Sequence, residues 1–290
     1  MTFLENEYLR VGIRLQGAEL TSVYNKAAGI EHLWQADPKV WGWHAPNLFP
    51  VVGGLINNQL MVNGQAYPMQ RHGFARPTEF RLAEATKSHA VFSLQYSEKT
   101  LTAYPYKFNF QVLYDLIENS LRVTYKVINL DSKPIYFSVG GHPAFNVPFF
   151  SGEQYQDYYL EFETAEQLIT HQLSQEGFFN GQTLPIKTEG NKLPLHHDLF
   201  AADALVFKNL KSRAVSIKTA KHEQWLTVEF PHYSYLGIWA KPGADFVCVE
   251  PWLGCADSVG EPKDITEKEA IQRLEYGHVF EAPYFITIGA

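Results

Sequence analysis

Cysteine is nearly absent from this 290-residue chain, with Cys248 and Cys255 its only two. Two thiols cannot build a disulfide framework, and they lack the paired spacing of a zinc site, so both are read as reduced structural thiols and no metal is expected. Long apolar runs are missing as well. Nothing approaches the ~20 apolar residues needed to span a bilayer, and the acidic opening Met1-Thr2-Phe3-Leu4-Glu5-Asn6-Glu7-Tyr8 lacks the basic and apolar regions of a signal peptide. A soluble, cytoplasmic protein is the expectation. Positive charge is also short, with 24 basic against 31 acidic residues and a formal charge of −7 without long single-sign runs. Nucleic acid and anionic membrane surfaces are therefore not expected partners. Gly53-Gly54 lacks the lysine and helix of a phosphate loop, no dinucleotide fingerprint follows a strand, and no serine sits in a nucleophile elbow. No cofactor is expected.

What is abundant is aromatic: 20 Phe, 16 Tyr and 6 Trp, residues that favour strands and supply flat faces for sugar rings. A chain of this length with 46% hydrophobic content can bury roughly 75% of its unfolded surface. Period-two patterning runs from end to end. Leu121, Val123, Tyr125 and Val127 alternate with Arg122, Thr124 and Lys126, and Tyr106, Phe108, Phe110, Val112 and Tyr114 share one parity, with Glu118-Asn119-Ser120 as the turn between the two runs. Asn63-Gly64 reads as another hairpin turn. Further strands are expected over 90–96, 135–139, 158–162, 213–219, 224–230, 233–239 and 246–250. Short helices are expected at 164–169 and 266–274, neither long enough to cross between parallel strands. Residues 172–198, rich in polar and turn residues, read as an excursion from the sheets. These patterns predict an all-β, large antiparallel β-sandwich forming a single domain over 1–290, with few short helices.

Three segments concentrate polar groups at strand ends. In Gly140-Gly141-His142-Pro143, glycines permit close backbone approach and Pro143 fixes the following turn, so His142 is either a proton donor on a constrained loop or a turn histidine with a local hydrogen bond. In Gln70-Arg71-His72-Gly73-Phe74-Ala75-Arg76, His72 is a site histidine or a satisfied structural one. Arg71 and Arg76 have forked donors for sugar hydroxyls, a carboxylate or a phosphate, or else lie over an aromatic such as Phe74. In Asp245-Phe246-Val247-Cys248-Val249-Glu250-Pro251-Trp252, parity puts Glu250 on a face with Phe246 and Cys248, at the point where Pro251 is expected to end the strand. A carboxylate so placed is a general base, the ion-pair partner of an arginine, or an edge-facing side chain. Trp252 beside it offers a stacking face for a sugar. His196-His197-Asp198 is a weaker metal candidate, because adjacent histidines in an extended chain face opposite ways.

Taken in order, Arg71-His72-Gly73-Phe74-Ala75-Arg76, Gly140-Gly141-His142-Pro143-Ala144-Phe145 and Val249-Glu250-Pro251-Trp252 resemble the aldose 1-epimerase (galactose mutarotase) superfamily, and in particular its LacX-like branch. The resemblance extends over nearly the whole chain, including Gly17-Ala18-Glu19-Leu20-Thr21-Ser22 and residues 41–53. It implies a β-supersandwich with an open, cofactor-free cleft for a small-molecule hexose. By motif, Glu250 matches the family's general base, His142 its general acid, His72 a second histidine that positions the sugar, and Asp203 a hydroxyl-binding aspartate. One departure stands out: the Asn-Arg pair usual on the strand before the first histidine corresponds to Gly54-Leu55. The His-Gly-Phe-Ala-Arg run is also similar to the hexose-6-phosphate epimerase branch. The expected activity is interconversion of hexose anomers by acid–base ring opening; the alternatives are the same reaction on a hexose 6-phosphate, or sugar binding without catalysis. A polysaccharide lyase or hydrolase is disfavoured because Glu250 lacks an obvious second carboxylate, Asp203 apart.

Overall fold

The computed structural model describes residues 1–289. Its architecture follows from the alternation of apolar and polar residues. Phe108–Ile117 and Ser120–Asn129 form the expected hairpin, closed by Glu118 and Asn119 with Leu116 opposite Leu121. One parity, including Phe108, Phe110, Val112, Tyr125 and Val127, is buried, while Asn109, Gln111, Arg122 and Lys126 are half-exposed on the other face. This hairpin sits inside a nine-stranded antiparallel sheet whose order runs Lys192–Pro194, Tyr158–Phe162, Ala214–Thr219, Trp225–Glu229, Val279–Gly289, Ser120–Asn129, Phe108–Ile117, His89–Gln95, Arg81–Ala85. Asn63-Gly64 closes a second hairpin, with both residues at positive φ, as a tight two-residue turn requires.

A second sheet carries the strand Phe246–Leu253 at its centre, flanked by Tyr235–Trp239 on one side and by Val139–Gly141 and Ala144–Asn146 on the other. All eight residues of Phe246–Leu253 are buried. A four-stranded sheet, Thr2–Glu5 through Ile30–Glu31, completes the main layers. Between the nine-stranded sheet and the second sheet lies an aromatic core. Phe49 stacks on Phe110 with centroids 4.3 Å apart and also contacts Phe108 and Phe137. Polar atoms crossing this core are paired: the Tyr125 hydroxyl donates to Asn47 Oδ1 at 2.8 Å, and Asn47 Nδ2 donates to the Gly17 carbonyl at 2.9 Å.

Several local expectations are corrected. Residues 164–169 form no helix; the Glu166 carboxylate instead accepts the backbone N–H groups of Lys211 and Ser212, fixing an extended loop. Over 266–274 only a 3₁₀ turn, Ile265–Glu267, precedes a strand, Gln272–Leu274, that pairs with Ile135–Phe137. Among the described residues the one α-helix is the single turn Glu98–Leu101, capped by Ser97. Within 172–198 the excursion is an ordered hairpin, Ile169–Leu173 with Phe179–Pro185, while Lys192–Pro194 rejoins the large sheet. Pro251 does not end its strand. Val249 N donates to the Pro143 carbonyl, and the two-residue alternation turns the Pro251 nitrogen to that same side, beside the break at His142, so the ladder loses one rung and continues to Leu253.

Three histidines, His32, His72 and His142, are buried with depressed pKa values, and His32 is the simplest of them. Its ring is fully buried edge-on against Phe149, neither ring nitrogen has a partner, and burial lowers its pKa to about 3. Below about 6.5 the unfolded chain takes up a proton that the folded ring refuses, so stability falls as pH falls through the interval from 6.5 toward 3. His32→Leu should therefore lose less stability than wild type between pH 6.5 and pH 5, by roughly 2 kcal/mol. Urea unfolding at the two pH values measures this, and equal losses in both proteins would refute it.

Candidate active site

The second sheet brings two of the sequence-selected segments face to face. Gly140 pairs with Trp252 and Ala144 with Cys248, and continuing that register through the break places His142 opposite Glu250. The glycines before His142 serve close approach and not a left-handed backbone, since neither has positive φ. A Cβ on Gly140 would lie 2.6 Å from Trp252 Cδ1, and one on Gly141 would lie 3.0 Å from the Tyr125 and Tyr284 hydroxyls. Only side-chain-free residues let this segment lie between the Phe246–Leu253 strand and the tyrosines of the large sheet.

His142 Nε2 stands 3.2 Å from Glu250 Oε2. Glu250 is 1% exposed and His142 8%. The contact lacks hydrogen-bond alignment: Glu250 Oε2 and His142 Nδ1 both remain without a hydrogen-bond partner in the chain. The arginine partner allowed for Glu250 on sequence grounds is absent, and a histidine stands in its place. Burial pushes the Glu250 carboxyl well above its ordinary range, with the Asp203 charge adding to the rise and the Trp252 indole opposing it. Burial likewise lowers His142 to about 3, assisted by the Arg76 charge. Ordinary values would leave glutamate ionised and histidine partly protonated at neutral pH, but both shifts here favour the uncharged forms, with the proton on Glu250. Trp41 covers the imidazole face, stacked at 5.0 Å, and Trp239 meets it edge-on at 6.0 Å. Neither tryptophan was singled out from sequence; the aromatic excess was the available signal, and it does not say which rings surround a site.

His72 arrives on a tight turn. Gly73 N donates to the Gln70 carbonyl, and His72 and Gly73 both take positive φ, at 67° and 75°. Gly73 cannot be replaced without movement, because a Cβ there would sit 2.2 Å from the Phe49 carbonyl oxygen. The turn sets the His72 ring 5.7 Å from that of His142. Gly53 N–H donates to His72 Nδ1 at 3.1 Å, so Nδ1 is an acceptor and the ring proton belongs on Nε2. Burial, His142, Arg76 and Arg71 all lower the His72 pKa.

A cavity of about 250 Å³ opens over these groups and is bordered by His72, His142, Glu250, Arg71, Arg76, Asp203 and Trp252, so all seven sequence-selected residues converge. Their surroundings differ. Asp203 is half-buried and accepts from the Ala204 N–H. Trp252 is only 7% exposed, its ring edges held against Gly140 and Gly237. Arg76 lies over Trp43 at 5.2 Å, not over Phe74, and donates to the Arg71 carbonyl. His196-His197-Asp198 is elsewhere, with His197 flat on Tyr155 at 4.7 Å. Among the described residues, His142, Cys248 and Glu250 place donor atoms within 4.8 Å of one another. Burial raises the Cys248 thiol well above its ordinary value, which keeps the sulfur protonated and a weak metal ligand.

Residues 2–266 match the family model described as Aldose 1-epimerase. The chain belongs to the aldose 1-epimerase family. It is 35% identical over 294 residues to the plasmid-encoded protein LacX of Lactococcus lactis subsp. lactis, with 98% of each chain covered. Among solved structures it is similar to a galactose mutarotase related enzyme from Lactobacillus acidophilus, with a TM-score of 0.94 and 33% identity over 100% of this chain and 97% of that one. It is equally similar to a galactose mutarotase-like protein from Lactobacillus casei ATCC 334, with a TM-score of 0.94 and 33% identity over the full length of both.

Within this aldose 1-epimerase family member, Gly54 and Leu55 lie in an extended loop and not on a strand. Leu55 is buried, and the missing side chain of Gly54 leaves room for the Arg71 guanidinium, 3.2 Å from where a Cβ would stand. The His72 geometry has a spectroscopic consequence. Correlation of ring nitrogens with ring protons by NMR should find His72 as the neutral Nε2–H tautomer, still unprotonated at pH 5. A doubly protonated ring at that pH would contradict the Gly53 hydrogen bond.

Proposed function

We propose that this protein interconverts the α and β anomers of a free hexose by opening and reclosing the pyranose ring. The observation that carries this reading is the buried His142–Glu250 contact at 3.2 Å, within a cavity that also presents the Nε2–H of His72. A dyad holding one shared proton always contains one acid and one base, which is what ring opening needs. With the proton on His142, the Glu250 carboxylate takes the proton of the C1 hydroxyl while His142 gives its proton to the ring oxygen. The C1–O5 bond breaks and an aldehyde forms. The dyad is then left as neutral histidine and protonated glutamate, the uncharged pair that burial favours. Rotation about C1–C2 presents the other carbonyl face, and the two transfers run in reverse.

The closed-ring state needs the charged pair, and the bound sugar supplies what the protein withholds. Glu250 Oε2 accepts no hydrogen bond from the chain, so a C1 hydroxyl donating to it stabilises the carboxylate at the moment the base is required. His72 Nε2–H donates to a neighbouring sugar oxygen, Asp203 accepts from a hydroxyl, and Trp41 and Trp239 hold the His142 ring in plane. Each positioned acid or base contributes roughly 10²–10⁴-fold. Two guanidinium groups on the lining, Arg71 and Arg76, favour a second reading in which the hexose carries a phosphate.

Polarimetric or NMR relaxation of freshly dissolved α-galactose and α-glucose tests the reaction. Glu250→Gln and His142→Asn should each slow enzymatic relaxation by roughly 10²-fold or more. Saturable sugar binding by wild type without relaxation would leave only a binding role. Much faster relaxation of hexose 6-phosphates than of free hexoses would establish the second reading. The pH profile should be a broad plateau. Its acid limb appears where His142, with its lowered pKa, binds a second proton on the dyad, below the ordinary histidine value; its alkaline limb appears where Glu250, with its raised pKa, loses the shared proton. A single transition at 6.5 would argue against a shared proton.

A further inference from the structure

Among the described residues, Arg71 is the one that borders both of two neighbouring cavities. On one side is the cavity of about 250 Å³ over His142 and Glu250; on the other is an outer cavity of about 570 Å³ bordered by Gly54, Asn57, Asn58, Glu176 and Phe178. The guanidinium between them is held by the hairpin tip beside it. Its Nη2 donates to the Glu176 carbonyl at the tip of the hairpin Ile169–Leu173/Phe179–Pro185. Gly177, at φ 80°, lies so close that a Cβ there would be 2.5 Å from Nη2, and one on Gly54 would be 3.2 Å from the same nitrogen. The hairpin tip is itself a closed turn, with Gly177 N donating to the Ser174 carbonyl and Ser174 N to the Phe178 carbonyl. Leu173, Gly177 and Phe179 of the same hairpin line the inner cavity.

Resting on the reading of the inner cavity as a sugar site, we propose that Arg71 is its specificity-determining residue. The clasped guanidinium partitions one long groove into an inner chamber for a single sugar ring and an outer chamber, and so restricts the protein to monosaccharides. The planar fork suits this role, because its Nη edge bonds a carbonyl and lies against Gly177, with Gly54 beside it. Gly54, in place of a family side chain, fits the same reading: a side chain there would crowd the guanidinium, 3.2 Å from where a Cβ would stand. Without the partition, Asn57, Asn58 and the Phe178 ring would offer polar groups and an aromatic face to a second ring.

The test uses Arg71→Ala, a change at an exposed side chain, and Gly177→Ala, which displaces the guanidinium while leaving Arg71 in place. Anomer relaxation is measured on galactose and glucose and on the reducing disaccharides lactose, maltose and melibiose. In wild type the disaccharides should be poor substrates; in both variants the disaccharide-to-monosaccharide ratio of kcat/KM should rise about tenfold or more for at least one of them, through KM and not kcat. A Glu-specific protease should also cut after Glu176 faster in Arg71→Ala. Unchanged ratios in both variants, or disaccharides as good as monosaccharides in wild type, would overturn the inference. If wild type relaxes no sugar, the proposed reaction fails. Saturation-transfer NMR with galactose and lactose then still decides the partition: lactose binding gained only in the variants supports it, and equal lactose binding by all three proteins refutes it.

Discussion

The close approach of Gly140-Gly141 to the strand Phe246–Leu253 is the constraint on which the cleft depends. Trp252 presses on one glycine, and two tyrosine hydroxyls of the nine-stranded sheet press on the other. That packing fixes the register of the second sheet against the first. The register sets His142 opposite Glu250, with the imidazole Nε2 3.2 Å from the carboxylate. The site is therefore mounted on paired strands, whose side chains are held by packing on both faces. His72 joins from a loop, but a loop pinned by Gly53 at two points, through its backbone N–H and its ring nitrogen.

Burial gives this arrangement its chemistry. A carboxyl group at 1% exposure beside a nearly buried imidazole cannot hold two isolated charges at low cost, so each group is driven toward its neutral form. In the proposed mechanism the pair keeps one proton between them, and where it resides responds to whatever hydrogen-bonds the free Glu250 oxygen. The same environment raises the Cys248 thiol and keeps it inert, although it lies within reach of both groups. One low-dielectric pocket thus tunes the dyad and silences its neighbour.

Legibility from sequence followed the range of the interactions involved. The hairpin across Glu118-Asn119 and the turn at Asn63-Gly64 depend on contacts within a few residues, and the alternation showed both. The helices expected over 164–169 and 266–274 failed because bonds to distant partners decided those segments: Glu166 to the backbone of Lys211 and Ser212, and Gln272–Leu274 to Ile135–Phe137. Pro251 was misread as a strand end because its tolerance depends on an interruption in the neighbouring strand. Trp41, Trp239 and Trp43 went unnamed because an aromatic side chain announces burial and not what it will cover.

The sequence by itself determined the all-β class, the hairpins, and, through the quoted motifs, the residues that meet at the cleft. Period-two patterning and turn chemistry are local, and short motifs keep their residue types wherever the fold places them. The tertiary structure alone decided the rest: which carboxylate faces which histidine, that their proton favours the carboxylate, that His72 is an Nε2–H donor, and that Arg71 stands between two cavities. Each of these depends on distances between segments separated by tens to hundreds of residues, and on the exclusion of water once they meet. No pattern along the chain encodes the register between distant segments or the local dielectric; both exist only after the sheets have packed.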